Sequence, residues 1–158
     1  MLPIQLTETS LAAFNEQFER TDGCWIWQGS RDQKGYGHMR SNGKMLKAHR
    51  ISFAAHHGEP GDMLVDHICH NASCVNPEHL RLVDHKQNGE NRSGLQSNNA
   101  SGVQGVYWHE TKQHWHARVQ HHRRRINVGA FRTLAEAEAA VVAKRLELFT
   151  HNELDRAS

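Results

Sequence analysis

The densest chemical signal in the chain is the run Asp66-His67-Ile68-Cys69-His70-Asn71-Ala72-Ser73-Cys74-Val75-Asn76-Pro77-Glu78-His79. Four residues separate Cys69 from Cys74, and four more separate Cys74 from His79. The chain has only three cysteines, and the third, Cys24, lies far upstream. An odd cysteine count argues against a disulfide framework. Cys24, Cys69, Cys74 and His79 instead make a Cys3His set, a donor mixture that suits tetrahedral zinc. Four protein ligands close the coordination shell, so such a site is structural and staples a loop-rich domain. The alternative is a group of buried free cysteines beside an unrelated histidine.

Asp66 and His67 have the makings of a hydrolytic site. Breaking a phosphodiester needs a water activated against an electron-rich phosphate, and a histidine titrating near neutrality can take that proton. It also needs a cation to stabilise the charge that builds on the phosphate and the leaving oxygen. Hard cations such as magnesium prefer oxygen ligands. Asp66 offers a carboxylate beside the base, and Asn88, 21 residues after His67, offers an amide oxygen. Taken alone, His67 reads better as a structural or zinc-ligating histidine, so the wider pattern has to decide.

The elements that would position these groups are short. A helix is expected over 9–20, capped by Thr9 or Ser10, with Leu11, Phe14 and Phe18 on one face. Strands are expected at 24–28, 36–40 and 44–48, the last two joined by a Ser41-Asn42-Gly43 turn, since Asn-Gly is a hairpin signal. A helix over 48–57 should end at Gly58. A strand at 63–67, an irregular loop through Pro77 and a return strand at 80–83 lead to a helix opened by Asp84 and running towards Arg92. The fold class is therefore α+β. The polar stretch SGLQSNNAS reads as a linker, giving domains at 1–93 and 102–152 with residues 94–101 between them.

The second domain reads as three strands (105–109, 114–120 and 124–131) and a helix opened by the Thr133/Glu136 capping box. That helix should bury Ala135, Ala139, Val142, Leu146 and Phe149. Strand alternation puts Val106, Trp108, Trp115, Ala117, Val119, Ile126 and Val128 on one face. Tyr107, His109, His116, Arg118, Gln120, Arg125 and Asn127 fall on the other, with Arg123 and Arg124 at the turn. Between Val103 and Arg132 there are six Lys/Arg, five histidines and one acid, against a net charge of only +2 for the whole chain. A local basic field of this kind favours a polyanion; a solvated basic face with no partner is the plainer explanation.

The motifs Gly23-Cys24-Trp25-Ile26-Trp27, Gly35-Tyr36-Gly37, Ala48-His49-Arg50, Val65-Asp66-His67-Ile68-Cys69 and Cys74–Leu80 together resemble the HNH endonucleases common in bacteriophages. The Cys-x4-Cys-x4-His run also resembles the His-Cys box homing endonucleases. This resemblance covers about residues 20–92. It implies a zinc-stapled ββα-metal nuclease domain with His67 as general base, Asp66 and Asn88 on a catalytic Mg2+ or Mn2+, and structural Zn2+ on Cys24, Cys69, Cys74 and His79. Gly89 follows Asn88 where family members often carry an apolar residue, so Asn91 stays open as the alternative ligand. Arg50 is either a contact to the scissile phosphate or a surface residue of its helix. Residues 101–150 resemble the APETALA-type, ethylene-response-factor-like DNA-binding domain, through Gly105–Trp108, Trp115–Val119, Val128–Phe131 and Leu134–Ala140. That likeness implies DNA contacts from Tyr107, His109, Arg118, Gln120, Arg125 and Asn127, and double-stranded DNA as the partner; Arg123 and Arg124 suit phosphates.

The chain contains neither a membrane-spanning apolar run nor a signal peptide, so a cytoplasmic protein is expected, in the bacterial host if phage-encoded. A monomer or homodimer fits. The rival to a nuclease is a non-catalytic, zinc-stabilised DNA-binding regulator. An RNA-binding role lacks an aromatic recognition platform to support it.

Overall fold

A computed structural model describes residues 4, 6–91, 95 and 97–156. The chain divides into two compact units, Met1–His85 and Lys86–Ser158. The fold is mixed α+β.

The first unit opens with α1 (Glu8–Asn15). Thr7 caps it in a reciprocal box: the Thr7 hydroxyl accepts from the Ser10 N–H, and the Thr7 N–H donates to Ser10 Oγ. The helix thus starts before the expected Thr9 or Ser10 cap and ends well short of residue 20. Phe18 leaves it to begin β1 (Phe18–Arg20), which pairs antiparallel with β2 (Trp25–Trp27). The reason is aromatic packing. The Phe18 ring stacks on Trp25 at 5.3 Å, while Phe14 sits 5.5 Å from the fully buried Trp27. Gly37 exists for the same tryptophan, because a Cβ there would lie 2.5 Å from Trp27 Cδ1.

β3 (His38–Ser41) and β4 (Lys44–Lys47) form the expected hairpin. Asn42 and Gly43 both take positive φ, 47° and 75°, the signature of a primed turn that matches strand twist. The chain passes directly from β4 into α2 (Ala48–His57), which ends at Gly58 as expected. β5 (Leu64–His67) then pairs antiparallel with β6 (Leu80–Val83), with His67 opposite Leu80. The loop between them closes in a 3-10 turn at Pro77–His79. Buried side chains form two clusters: Phe14, Trp27, Met39, Ala48, Ile51 and Val75, and a smaller one of Phe53, Val65 and Leu80.

α3 (His85–Glu90) straddles the division, and from Lys86 onward it groups with the second unit. Glu90 is buried, and its Oε2 accepts from the N–H groups of Thr150 and His151 at 3.0 and 3.3 Å. Asn91 is buried as well, and its Oδ1 accepts from the Glu153 N–H. Arg92, where this helix was expected to end, lies outside the described residues. Of the expected linker, Asn99 and Ser101 are bonded into the second unit: Asn99 Nδ2 donates to Val103 O, and Ser101 Oγ to Val106 O at 2.7 Å.

The second unit is a three-stranded antiparallel sheet of β7 (Val106–His109), β8 (His114–His121) and β9 (Arg124–Phe131), with β8 central. A bulge shifts the β8–β9 register, so Arg118 faces Asn127 but Ala117 faces Gly129. α4 (Leu134–Leu148) covers one sheet face and carries the expected capping box of Thr133 and Glu136. Its buried face differs from the expected one. Ala137 and Val141 are buried and Leu134 and Leu148 pack with them, whereas Ala135, Ala139 and Leu146 are exposed. Arg145 is the cause. It occupies the inward face as a charge, paired with Asp155 at 2.5 Å and donating to Gln104 O at 2.8 Å. A buried, satisfied arginine disguises that face as a polar one. α5 (Glu153–Arg156) follows and supplies Asp155. Among the described residues, no helix is long and apolar enough to cross a membrane.

Candidate metal centre and active site

Cys24 reaches the 69–79 loop through strand-like backbone pairing. The Trp27 N–H donates to Ser73 O at 2.9 Å and the Val75 N–H to Trp25 O at 2.8 Å, framing an isolated bridge between Ile26 and Cys74. Asn76 reinforces this, its side-chain amide donating to Gly23 O at 2.7 Å. As a result Cys24, Cys69, Cys74 and His79 present ligand atoms that all lie within 4.8 Å of one another. His79 Nδ1 is 3.6 Å from both Cys24 Sγ and Cys74 Sγ. Zinc bonds of about 2.3 Å to sulfur and about 2.0 Å to nitrogen imply tetrahedral S···N edges of roughly 3.5 Å. The donors fit zinc in both chemistry and spacing.

The thiols also show why this cluster wants a cation. The Cys69 thiol hydrogen-bonds to Cys74 Sγ, which raises the Cys69 pKa far above its ordinary range and lowers that of Cys74. Burial raises Cys24. Three thiolates can coexist here only with a positive ion among them. The Asn76 N–H, directed at Cys74 Sγ at 3.4 Å, adds a hydrogen bond to the ligand sulfur.

Asp66 and His67 are neighbours on β5, and strand alternation sends them to opposite sides. Asp66 pairs with Arg81, its cross-strand partner, at 3.3 Å. His67 turns inward and is only 5% exposed. Its Nε2 lies 2.9 Å from Cys74 O. A carbonyl can only accept, so Nε2 carries the hydrogen and the neutral ring holds its lone pair on Nδ1. Burial lowers the His67 pKa, partly offset by the Cys74 hydrogen bond and the charge of Asp66. His67 is thus held in one tautomer by the carbonyl of a cluster cysteine, which ties the two sites together.

Two residues join His67 that were quoted above only as parts of motifs. The His49 ring meets His67 edge-on at 4.8 Å, and the Tyr36 ring lies 5.4 Å from His49 and 5.9 Å from His67. Lys47 places its ammonium 4.3 Å from the Tyr36 ring centre. The signal is the Gly35-Tyr36-Gly37 and Ala48-His49-Arg50 motifs, in which neither Tyr36 nor His49 carries an expected role. Arg50 donates to Met63 O at 2.8 Å and to Gly61 O at 2.9 Å, so its guanidinium clasps the turn leading into β5. Asn88 is exposed on α3 in the second unit, while Asn91 is buried with its Oδ1 on the Glu153 N–H.

On the uncovered face of the second unit, Arg118 lies over the Tyr107 ring at 4.7 Å, Tyr107 stacks on His116 at 5.6 Å, and His109 lies 5.1 Å from His116. Burial, then His109 and other nearby cationic groups, lowers the His116 pKa. Gln120 faces Arg125 and Arg118 faces Asn127 across β8 and β9. Arg118, Gln120, Arg123, Arg124, Arg125 and Asn127 are all exposed. The β8–β9 turn places His122 and Arg123 at positive φ, 46° and 63°. Neither is glycine, so this turn is held against its local preference.

Residues 46–90 match the family model of HNH endonucleases. Two proteins of Escherichia phage T7 are similar to the chain. Protein 2.8 is 40% identical over 70 residues, covering 43% of this chain and 48% of its own length. Protein 7.7 is 39% identical over 70 residues, covering 44% of this chain and 54% of its own length. The chain thus spans about half the length of the curated relatives it matches. No solved structure matches it.

Proposed function

We propose that the protein is a DNA endonuclease that hydrolyses phosphodiester bonds with His67 as general base and a divalent cation on Asp66 and Asn88. The observation that carries this reading is the His67–Cys74 O hydrogen bond, inside a segment that matches HNH endonucleases. It fixes the ring hydrogen on Nε2 and so puts the basic lone pair of His67 on Nδ1, the atom that takes the proton of the attacking water in this proposal. The lowered His67 pKa keeps the ring neutral and ready at pH 7. Magnesium or manganese, when bound, supplies Lewis-acid stabilisation of the phosphate and the leaving 3′ oxygen. The Asp66 carboxylate and the Asn88 amide are oxygen donors of the kind such an ion prefers. Zinc on the Cys3His cluster holds the loop that presents Cys74 O to the base.

The second unit, in this proposal, holds double-stranded DNA with the face of Tyr107, His109, Arg118, Gln120, Arg125 and Asn127, and with Arg123 and Arg124 on phosphates. Its likeness to the ethylene-response-factor type and its exposed, cation-rich sheet face support this. A phage setting is part of the same proposal, supported by the similarity to T7 proteins, and the homing role in it rests on the resemblance to the His-Cys box homing endonucleases. One active site per chain predicts nicking by a monomer.

Supercoiled plasmid with magnesium tests the reading. Wild type should nick it, EDTA should stop the reaction, and His67→Ala should lower the rate by about 100-fold or more while still shifting DNA in a gel. Cutting by His67→Ala at the wild-type rate would remove His67 as base. Binding without any cutting would move the assignment to a zinc-stabilised DNA-binding regulator.

A further inference from the structure

We infer that His49 is a second functional imidazole of this site, with its Nδ1 making a hydrogen bond to a phosphate oxygen of the DNA backbone next to His67. This rests on the nuclease reading above.

Three observations carry it. His49 is only 4% exposed, and its Nδ1 is buried without a hydrogen-bond partner among the described residues. A buried polar nitrogen left unsatisfied costs free energy unless something fills the gap, so it marks a place for a ligand. His49 also stands in the first turn of α2, a ten-residue helix whose N-cap, Lys47, makes no side-chain capping bond and whose first turn holds no acid. The Ala48 N–H at that end donates to Gly37 O at 2.8 Å, and the helix dipole leaves positive potential there, which suits an anion. Finally, His49 lies at the depth of the base itself. His67 is 5% exposed and 4.8 Å away, so a phosphate that reaches His67 passes within range of His49.

The surroundings fit a phosphodiester. Lys47 holds its charge beside Tyr36, which borders both histidines. Burial, reinforced by His67, Lys47 and Arg50, keeps His49 neutral, so the ring carries one N–H, and with that hydrogen on Nδ1 it donates to the phosphate and adds no counter-charge. His67 takes a proton from water, and His49 holds the phosphate that the water attacks.

Two substitutions separate the nitrogen from the ring. His49→Phe keeps a ring against His67 and Tyr36 but removes both nitrogens. His49→Asn gives up the ring but returns a donor near Nδ1. If His49 binds phosphate, His49→Phe lowers single-turnover plasmid cleavage by about 100-fold at unchanged zinc content, and His49→Asn recovers part of that loss. Wild-type cleavage by His49→Phe would overturn the proposal.

A second measurement needs no cleavage. Long-range proton–nitrogen spectra of the full chain, with a short DNA duplex in calcium, should move the imidazole signal that is missing from both His49 variants. A signal that stays still would overturn the proposal. If wild type fails to nick plasmid but this signal moves, the nuclease reading fails and the phosphate contact stands.

Discussion

The two units keep their shape by different means. The second has one sheet, one covering helix and one continuous core from Val106 to Phe149, with a capping box at the helix start. The first spreads its strands over three separate two-stranded sheets and splits its core in two. Its 68–79 loop gathers Cys69, Cys74 and His79 around Cys24 in a cluster that fits a zinc. Two-stranded pairs have little stability of their own in water. The contrast teaches that the proposed cleavage site belongs to a unit with little packing of its own and a cluster that fits a zinc, whereas the other unit relies on ordinary packing.

Removing the metal should break the comparison most visibly. Cys74→Ser, or a strong chelator, should abolish the cooperative melting of the first unit and leave that of the second in place, because the binding energy of a structural zinc is folding energy. Two surviving transitions in calorimetry would mean that the first unit stands on packing alone. Next in size is Arg145→Ala. It leaves the largely buried Asp155 carboxylate without its charged partner and with only the Asn152 amide among the described residues, and should cost the second unit about 3 kcal/mol in urea unfolding while zinc content stays constant. A loss below about 1 kcal/mol, typical of a surface pair, would contradict that role.

The smallest effect sharpens the contrast through pH. Burial depresses the His49 pKa well below the ordinary imidazole value in the folded state. The unfolded chain therefore binds a proton from about pH 6.5 downward while the folded chain does not. The stability of the first unit should be flat above that pH and fall below it. Acid also protonates the zinc ligands, so the diagnostic quantity is the difference between wild type and His49→Phe. The variant's melting temperature should fall less steeply between pH 7 and pH 5. Identical slopes would show that His49 does not stay neutral. The second unit lacks this residue and serves as the internal control.

Much of this was legible in the chain because local chemistry wrote it there. Asn42-Gly43 set a hairpin, Thr133 and Glu136 set a helix start, and the Cys-x4-Cys-x4-His spacing set a cluster that the fold assembles with Cys24. The rest depended on contacts between distant residues. Phe18 continues a helical stripe in the sequence, and only its pairing with Trp27 and stacking on Trp25 turn it into a strand. The inward face of α4 was hidden because a buried Arg145 looks like a surface residue until Asp155 is seen beside it. His49 stands in the Ala48-His49-Arg50 motif, but its role comes from lying against His67, 18 positions further on. Arg50 was open between phosphate and surface, and in the fold its donors go to the carbonyls of Gly61 and Met63.

The clasp of Glu90 on the Thr150–His151 backbone bears on how the chain can be shortened. α3 spans only His85–Glu90, too few residues to hold a helix by its own hydrogen bonds. Its far end is fastened by donors that come about sixty positions later, from a segment after the last long helix. Trimming the chain just before Thr150 would look harmless on a map of sheets and helices. It would instead release the helix that displays Asn88, so the tail after α4 behaves as a remote fastening for a residue near the middle of the chain.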